Sequence, residues 1–495
     1  MTLGLSLIVD KVSVMTGLPS HRATFVIFQL CALPLAVLFR LVLHPRRVSS
    51  TIRHVFVTLI GFYMAVQLYS WSVVHLLVLS STVYIMITVL QPSVFHYYVF
   101  VFSMLYLSAV NLAYQFVDGK TRDLTVTGPL MVMVQKLSSL AFSLKDGLTK
   151  ADSYWNKRKK ELAYSKMPSV LEYCSYLFYF QGLAVGPFCF YKPYIDFIEG
   201  KHLQSVPANS DNKEVTRKLQ DPPVLKTAIV KLFLGSVMAV IYLTLEHHFP
   251  IQSNIDNQYI VNSSLVIRTF YLWMTVLIVQ TKYFYVWMWA DAVCNTSGLG
   301  FNGYNENGSP KWNLVSNIDL MAFMFATSGK GVVDNWNILT TLWLRYVCYD
   351  RVQSKFRTVM TFFLSSVWHG FYPGYFWTFL SGPFVLEAGK KVRQFIRPFF
   401  LRSPQIKLMY DIITWFFTHV MLAYTALPFV MLHGTNIIRF YRSVYFIGHL
   451  GCLLVIVILP KRKRAPSDGQ SNGKSVCVDG REESNVKIGN NVKTS

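Results

Sequence analysis

The chain has 495 residues, 53% of them hydrophobic and only 15% charged, with a formal charge of +22 and a mean hydropathy of +0.35. Soluble domains carry about 25% charged residues, so this composition excludes an ordinary soluble protein. The basic residues cluster in loops beside apolar runs, which excludes nucleic acid as the partner and fits a positive-inside bias, anionic lipid headgroups and a phosphorylated cosubstrate.

The first sixteen residues contain Asp10 and Lys11 and lack the basic start and apolar core of a cleavable signal, so they are expected to lie along the membrane surface. Apolar runs follow at 23–43, 55–70, 73–90 and 94–116, each near or beyond the ~20 residues that span hydrocarbon. The loop 44–53 holds three Arg, and 145–166 holds seven Lys and Arg. Both should be cytosolic, and the last three runs plus the weaker 125–144 supply the four crossings between them.

Further spans are expected at 171–190, 224–245, 265–290, 359–386, 409–431 and 437–459. The loop 389–407 carries six Lys and Arg and is again placed in the cytosol. Beyond Leu459, Pro460-Lys461-Arg462-Lys463-Arg464 opens a Ser/Gly/Asn/Lys-rich tail expected to be disordered and cytosolic. The fold class is therefore all-α, a polytopic membrane helical bundle of about 10–11 spans plus re-entrant or irregular segments. Residues 1–459 form its single transmembrane domain and 460–495 its tail.

The middle of the chain does not close as simply. Residues 291–335 are polar and glycine-rich, and 336–350 is too short and too polar for a lipid-facing span. If 359–386 enters from the lumen, 336–350 must cross or dip irregularly. Irregular backbone survives at that depth only inside protein or beside a water-filled cavity, so a cavity is expected here. Seven Cys lie singly, with no CxxC pair, and read as membrane-buried thiols rather than metal ligands or a disulfide frame. Of the three N-x-S/T triplets, at Asn262, Asn295 and Asn307, only Asn262 falls in a short loop expected to be lumenal.

His369, in Ser365-Ser366-Val367-Trp368-His369-Gly370, lies about a dozen residues into its run, roughly 18 Å along a helix. An ionisable group at that depth is a functional-site hypothesis by default. It is expected to be neutral and able to accept a proton, which suits a general base; the plainer reading is a histidine bonded across a helix interface. Gly370, Pro373 and Gly374 interrupt the helix beside it and free backbone groups near the ring. Asn337, in Asn335-Trp336-Asn337-Ile338, offers uncharged donors that can stabilise an oxyanion. Asn is also a good helix N-cap, and on spacing alone that reading is the stronger one. None of the twelve His has an Asp five residues later, and the G-x-S-x-G at 469–473 lies in the tail, without the strand and helix a nucleophile elbow needs.

Together, Asn335-Trp336-Asn337-Ile338 with Trp343-Leu344, and Val367-Trp368-His369-Gly370 with Tyr372-Pro373-Gly374-Tyr375, resemble the membrane-bound O-acyltransferase family. Gly298-Leu299-Gly300-Phe301-Asn302-Gly303 and Lys311-Trp312-Asn313-Leu314 support the likeness, with Asn313 standing where the family has Asp. The run Gly186-Pro187-Phe188-Cys189-Phe190 is less polar than in its lysophospholipid acyltransferases. The resemblance implies a bundle around a central chamber open to the cytosol and the bilayer. It implies transfer of a fatty acyl group from acyl-CoA to the free hydroxyl of a lysophospholipid in the endoplasmic reticulum membrane. His369 would be the base and Asn337 the second catalytic residue, with Trp336, Trp368, Tyr372 and Asn302 at the substrate. Acyl-CoA is a cosubstrate; no cofactor and no metal are expected, and membrane lipids are the remaining partners. Lysophosphatidylethanolamine or lysophosphatidylserine is the favoured acceptor, lysophosphatidylcholine the next. A protein or peptide O-acyltransferase and a proton-coupled transporter are the alternatives; the transporter should show paired intramembrane carboxylates or inverted repeats, and neither is seen.

Overall fold

In hydrocarbon every backbone N–H and C=O must be satisfied within its own segment, so long apolar runs can only become helices. The computed structural model describes residues 3–117, 126–149, 157–183, 186–204 and 221–460. Among these there is no strand, only the isolated bridges Tyr304↔Pro310 and Ile318↔Trp336. The tail from residue 461, and with it Cys477, lies outside the described residues.

The first half runs α1 (Leu3–Thr16), α2 (Ser20–Leu41), α3 (Ser50–Tyr69), α4 (Val73–Val89), α5 (Phe95–Val117), α6 (Thr127–Leu148), α7 (Lys157–Leu162), α8 (Val170–Leu177) and α9 (Tyr191–Ile198). The second half runs α10 (Leu225–Leu245), α11 (Asn257–Asn262), α12 (Leu265–Ser297), α13 (Leu320–Met324), α14 (Gly329–Asn335), α15 (Ile338–Leu344), α16 (Arg357–His369), α17 (Pro373–Phe395), α18 (Pro404–Met431), α19 (Gly434–Ser443) and α20 (Ile447–Ile458). Serine caps open several of the long ones: Ser49 accepts from Ile52 N–H, Ser264 from Ile267 N–H and Ser403 from Ile406 N–H. Gly298, at φ 98°, closes the 33-residue α12 in the left-handed conformation that favours glycine.

Among the described residues, five helical stretches are long and apolar enough to cross a membrane, with α19 and α20 a further bent pair. Three expected spans are built differently. Residues 171–190 are not a span: α8 has eight residues, opened by a Ser169–Glu172 capping box, and then gives way to turns. Its apolar side chains face protein, with Tyr176, Tyr179 and Phe180 at most 1% exposed. Here hydrophobicity marks core rather than lipid. Residues 437–459 divide into α19 and α20, which meet at 70°. Residues 359–386 divide at Gly370, whose φ of 121° no L side chain adopts comfortably. The pieces fold back on each other, with Phe362 against Gly382 and His369 stacked on Phe379.

That last break resolves the middle of the chain. Because α16 and α17 fold back on each other, residues 359–386 begin and end on the same side, and residues 336–350 need not cross. The segment starts at Trp336, deep against Tyr283, Phe284 and Trp287 of α12. It ends at Asp350, which pairs with Arg158 of α7 at 3.1 Å. It is a re-entrant segment that returns to the basic face. On that same face His44 Nε2 lies 2.9 Å from Asp221, and Lys391 Nζ donates to Ile456 O at 2.6 Å, joining the ends of α17 and α20.

The helices α3 and α4 form a V around α8. His54 on one arm bonds Ser175 at 2.5 Å, while Tyr173 donates to Ser80 O on the other at 2.8 Å. Gly61 lets α3 close onto the Phe178 carbonyl, 1.5 Å from where a Cβ would sit. Of the three glycosylation triplets, Asn295 is wholly buried, Asn307 lies in the exposed turn after α12, and Asn262 is exposed at the end of α11. The six described cysteines are unpaired; Cys31 is exposed rather than buried in protein, and Cys189, Cys294 and Cys452 are buried.

Candidate functional site

His369 is the last residue of α16, held where the helix stops. Its Nδ1 lies 2.7 Å from Ser365 O, one turn back. A carbonyl only accepts, so in the neutral ring Nδ1 carries the hydrogen and Nε2 the lone pair. Among the described residues Nε2 has no hydrogen-bond partner. The ring is walled by aromatics: Phe379 stacked at 4.7 Å, Phe429 edge-on at 5.2 Å, Trp368 at 4.6 Å and Tyr375 at 5.7 Å. The wall is rigid at its base. Gly374 N–H donates to Leu432 O at 2.9 Å, and a Cβ on Gly374 would fall 2.0 Å from Pro428 O. The start of α17 is thereby locked to the end of α18.

Asn337 occupies the N-cap position of α15 yet does not cap it. Its backbone is left-handed, at φ 46° and ψ 51°, and its side chain makes no capping bond. Asn tolerates this conformation better than most residues. The backbone around it is pinned instead by Ile338 N–H donating to Asn317 O at 2.9 Å and by the Ile318↔Trp336 bridge. The half-buried carboxamide makes no hydrogen bond among the described residues. Beyond α15 the chain passes through a π-turn at Arg345–Tyr349, a distortion common at functional sites.

One helix serves both segments. Along α6, Gln135 donates to Thr340 Oγ1 at 2.9 Å, Ser138 accepts from Trp343 Nε1 at 2.9 Å, and Met131 O accepts from Trp368 Nε1 at 3.0 Å. The indoles of Trp343 and Trp368 pack at 5.5 Å. Thus α15, after Asn337, and α16, before His369, share one backboard. At its basic end Asp146, 1% exposed, holds Arg351 through two bonds of 3.1 and 2.6 Å and accepts from Tyr346 at 3.0 Å. Sequence reading missed Gln135, Ser138 and Asp146. The signal available was the polar content that made 125–144 a weak span: hydroxyls and amides in a buried helix need partners.

The other expected site residues separate. Trp368 and Tyr372 flank the break at Gly370, Tyr372 packing on Tyr375 and His433. Trp336 stands beside Asn337 in the aromatic cluster of α12. Asn302 lies on the exposed turn after α12, where its Nδ2 donates to Asn313 Oδ1 at 2.9 Å. Two cavities among the described residues are lined by neither His369 nor Asn337. The first opens on the basic face; the second lies among α2, α3 and α12.

A polytopic helical bundle with a half-buried histidine at a glycine break, one ring nitrogen free, and an unbonded carboxamide on a neighbouring re-entrant segment defines an intramembrane enzyme class. The chain belongs to the membrane-bound O-acyltransferase family, whose model matches residues 111–432. It is 38% identical to membrane-bound glycerophospholipid O-acyltransferase 2 of Homo sapiens over 460 residues, 92% of this chain and 88% of that protein. Against membrane-bound glycerophospholipid O-acyltransferase 1 of Mus musculus it is 37% identical over 468 residues, 94% of each. A lysophospholipid acyltransferase of Schizosaccharomyces pombe is 30% identical over 356 residues, 70% of this chain and 68% of that protein.

Proposed function

We propose that this O-acyltransferase moves a fatty acyl group from acyl-CoA to the free hydroxyl of a lysophospholipid, with lysophosphatidylethanolamine or lysophosphatidylserine preferred. The observation that carries the chemistry is the His369 ring: Ser365 O fixes Nδ1 and leaves Nε2 as the single available base. Nε2 takes the proton of the glycerol hydroxyl as its oxygen bonds to the thioester carbonyl carbon. The Asn337 amide donates to the developing oxyanion. The C–S bond then breaks, and the departing sulfur takes the proton back from the imidazolium. The products are a diacyl phospholipid and CoA-SH, and no covalent enzyme intermediate is required. Trp336, Trp368 and Tyr372 would wall the acyl chain and the acceptor.

The lysophospholipid reading is supported by the names of the relatives above. Orientation follows the Lys/Arg asymmetry: the basic face is cytosolic, and acyl-CoA enters there past Arg158, Lys355 and Arg357. Residence in the endoplasmic reticulum is proposed on the family's account. Acylation of a peptide would need a lumenal opening, whereas the loop 246–264 is folded against the bundle, with Asn254 bonded to Thr275 and Asn257 to Arg439. Purified protein given labelled oleoyl-CoA and competing lysolipids and peptides tests the proposal by mass spectrometry. Oleoyl phosphatidylethanolamine or phosphatidylserine is the expected product. Label in a peptide with none in phospholipid overturns it.

A further inference from the structure

On the basic face, apart from His369 and Asn337, a half-open cavity lies where the end of α2 and the start of α3 meet the turn after α12. Among the described residues four basic side chains line it, Arg40, His44, Arg53 and His202, against one carboxylate, Asp221; Trp312 forms an apolar wall. Arg53 is only 1% exposed. Its guanidinium sits 4.2 Å from the Phe39 ring centre and 5.4 Å from that of Phe197, and donates to the carbonyls of Leu43 and Phe197. Its Nε has no partner. Arg40 lies 5.6 Å from the Trp312 ring centre and 3.7 Å from Asp221, and it donates to Pro222 O at 2.8 Å. Burial pushes His202 down to about 4, so its ring is neutral at pH 7 and the fixed positive charge belongs to the arginines.

A buried guanidinium that meets only carbonyls and ring faces is poorly compensated for its lost hydration. Asp221 does not fully answer it: its carboxylate contacts Arg40 and His44 and remains 33% exposed. The location narrows the anion. Leu41 and Val42, next to Arg40, are 57% and 54% exposed apolar residues at the end of a spanning helix, which is headgroup level. Basic pockets between transmembrane helices bind phosphorylated headgroups, and the arginine fork matches phosphate oxygens.

We infer that this cavity is a second lipid site, which takes the phosphate of an anionic phospholipid between Arg40 and Arg53, with Asp221 as the intramolecular carboxylate that the phosphate displaces. The lipid held here is a resident ligand rather than a substrate. The site stands whether or not the acceptor of the transfer reaction is correctly assigned.

The full-length protein in nanodiscs of phosphatidylcholine, with or without phosphatidic acid or phosphatidylserine, tests this through retained lipid in native mass spectrometry and through thermal melts. Anionic lipid should raise the melting temperature and be retained as a bound adduct. Arg40→Gln should abolish both effects, while Arg46→Gln, on the exposed loop outside the cavity, should leave them intact. Asp221→Asn should tighten anionic-lipid binding by roughly two- to fivefold, since it removes a partly exposed competitor. That sign separates the site from a structural ion pair, whose loss would only destabilise. Weaker binding in Asp221→Asn, or equal losses in Arg40→Gln and Arg46→Gln, overturns the site. An equal stabilisation by inorganic phosphate or free CoA in phosphatidylcholine discs overturns the lipid as its ligand.

Discussion

The helix α10 and the segment 320–372 meet the membrane's demands in opposite ways. Only Ala228 and Gly235 of α10 are buried, and Ile229, Phe233 and Val240 face outward with 53–65% exposure. Its structure is dictated by its solvent, and many apolar helix formers would serve. Residues 320–372 instead comprise helices of five, seven, seven and thirteen residues, divided by a left-handed Asn337, a π-turn and Gly370. Each break has a named partner beside it: Asn317 O at Ile338 N–H, Asp146 at the π-turn, and Ser365 O on the His369 ring just before Gly370. The regular helix satisfies its own backbone and leaves nothing for chemistry. The broken segment exposes groups that can act, and depends on specific neighbours to hold them.

His369→Ala should sharpen this contrast most. Removing a general base lowers turnover by ~10²–10⁴-fold, while a melt in detergent should stay near that of the unsubstituted protein. More than a tenth of normal turnover would mean that another group takes the proton.

Asn337 permits a cleaner separation of backbone from side chain. Both Asn337→Ala and Asn337→Gly should lose roughly 10²-fold in rate if the amide stabilises charge. Gly keeps the left-handed backbone at no steric cost, so only the Ala variant should also melt lower. A Gly variant with normal rates would reduce Asn337 to a conformational role.

The smallest effects compare packing. Gly374→Ala forces a Cβ against Pro428 O and should cost about 1–3 kcal/mol, as overpacking does. Phe233→Leu on α10 should stay within about 0.5 kcal/mol. If the two variants melt alike, the contact between α17 and α18 is looser than the geometry indicates.

The spans α2 to α5, α10 and α18 were legible in the sequence because a run of ~20 apolar residues has one outcome in lipid. The same rule misread 171–190, since a core helix and a span share a composition and only the partners of Tyr176 and Tyr179 distinguish them. The break in 359–386 was half visible: Gly370 and Pro373 flagged an interrupted helix, but not that it reverses. His369 stood out by depth alone. Asn337 did not, because spacing favours an N-cap, and its unbonded amide depends on a φ that no sequence pattern declares. The backboard of α6 was hidden for the same reason, its bonds reaching some 200 residues along the chain.

The V of α3 and α4 has a consequence for how the protein is made. Its wedge, α8, begins at Val170, about 80 residues after α4 ends at Val89. At a synthesis rate of about 5–20 residues per second, both arms exist for roughly 4–16 seconds before the wedge leaves the ribosome. During that interval His54 and the Ser80 carbonyl lack the Ser175 and Tyr173 hydroxyls they bond in the finished protein. The Ser80 carbonyl keeps its bond within α4 throughout, so the imidazole of His54 is the group left waiting, and water in the open cleft can satisfy it until α8 arrives.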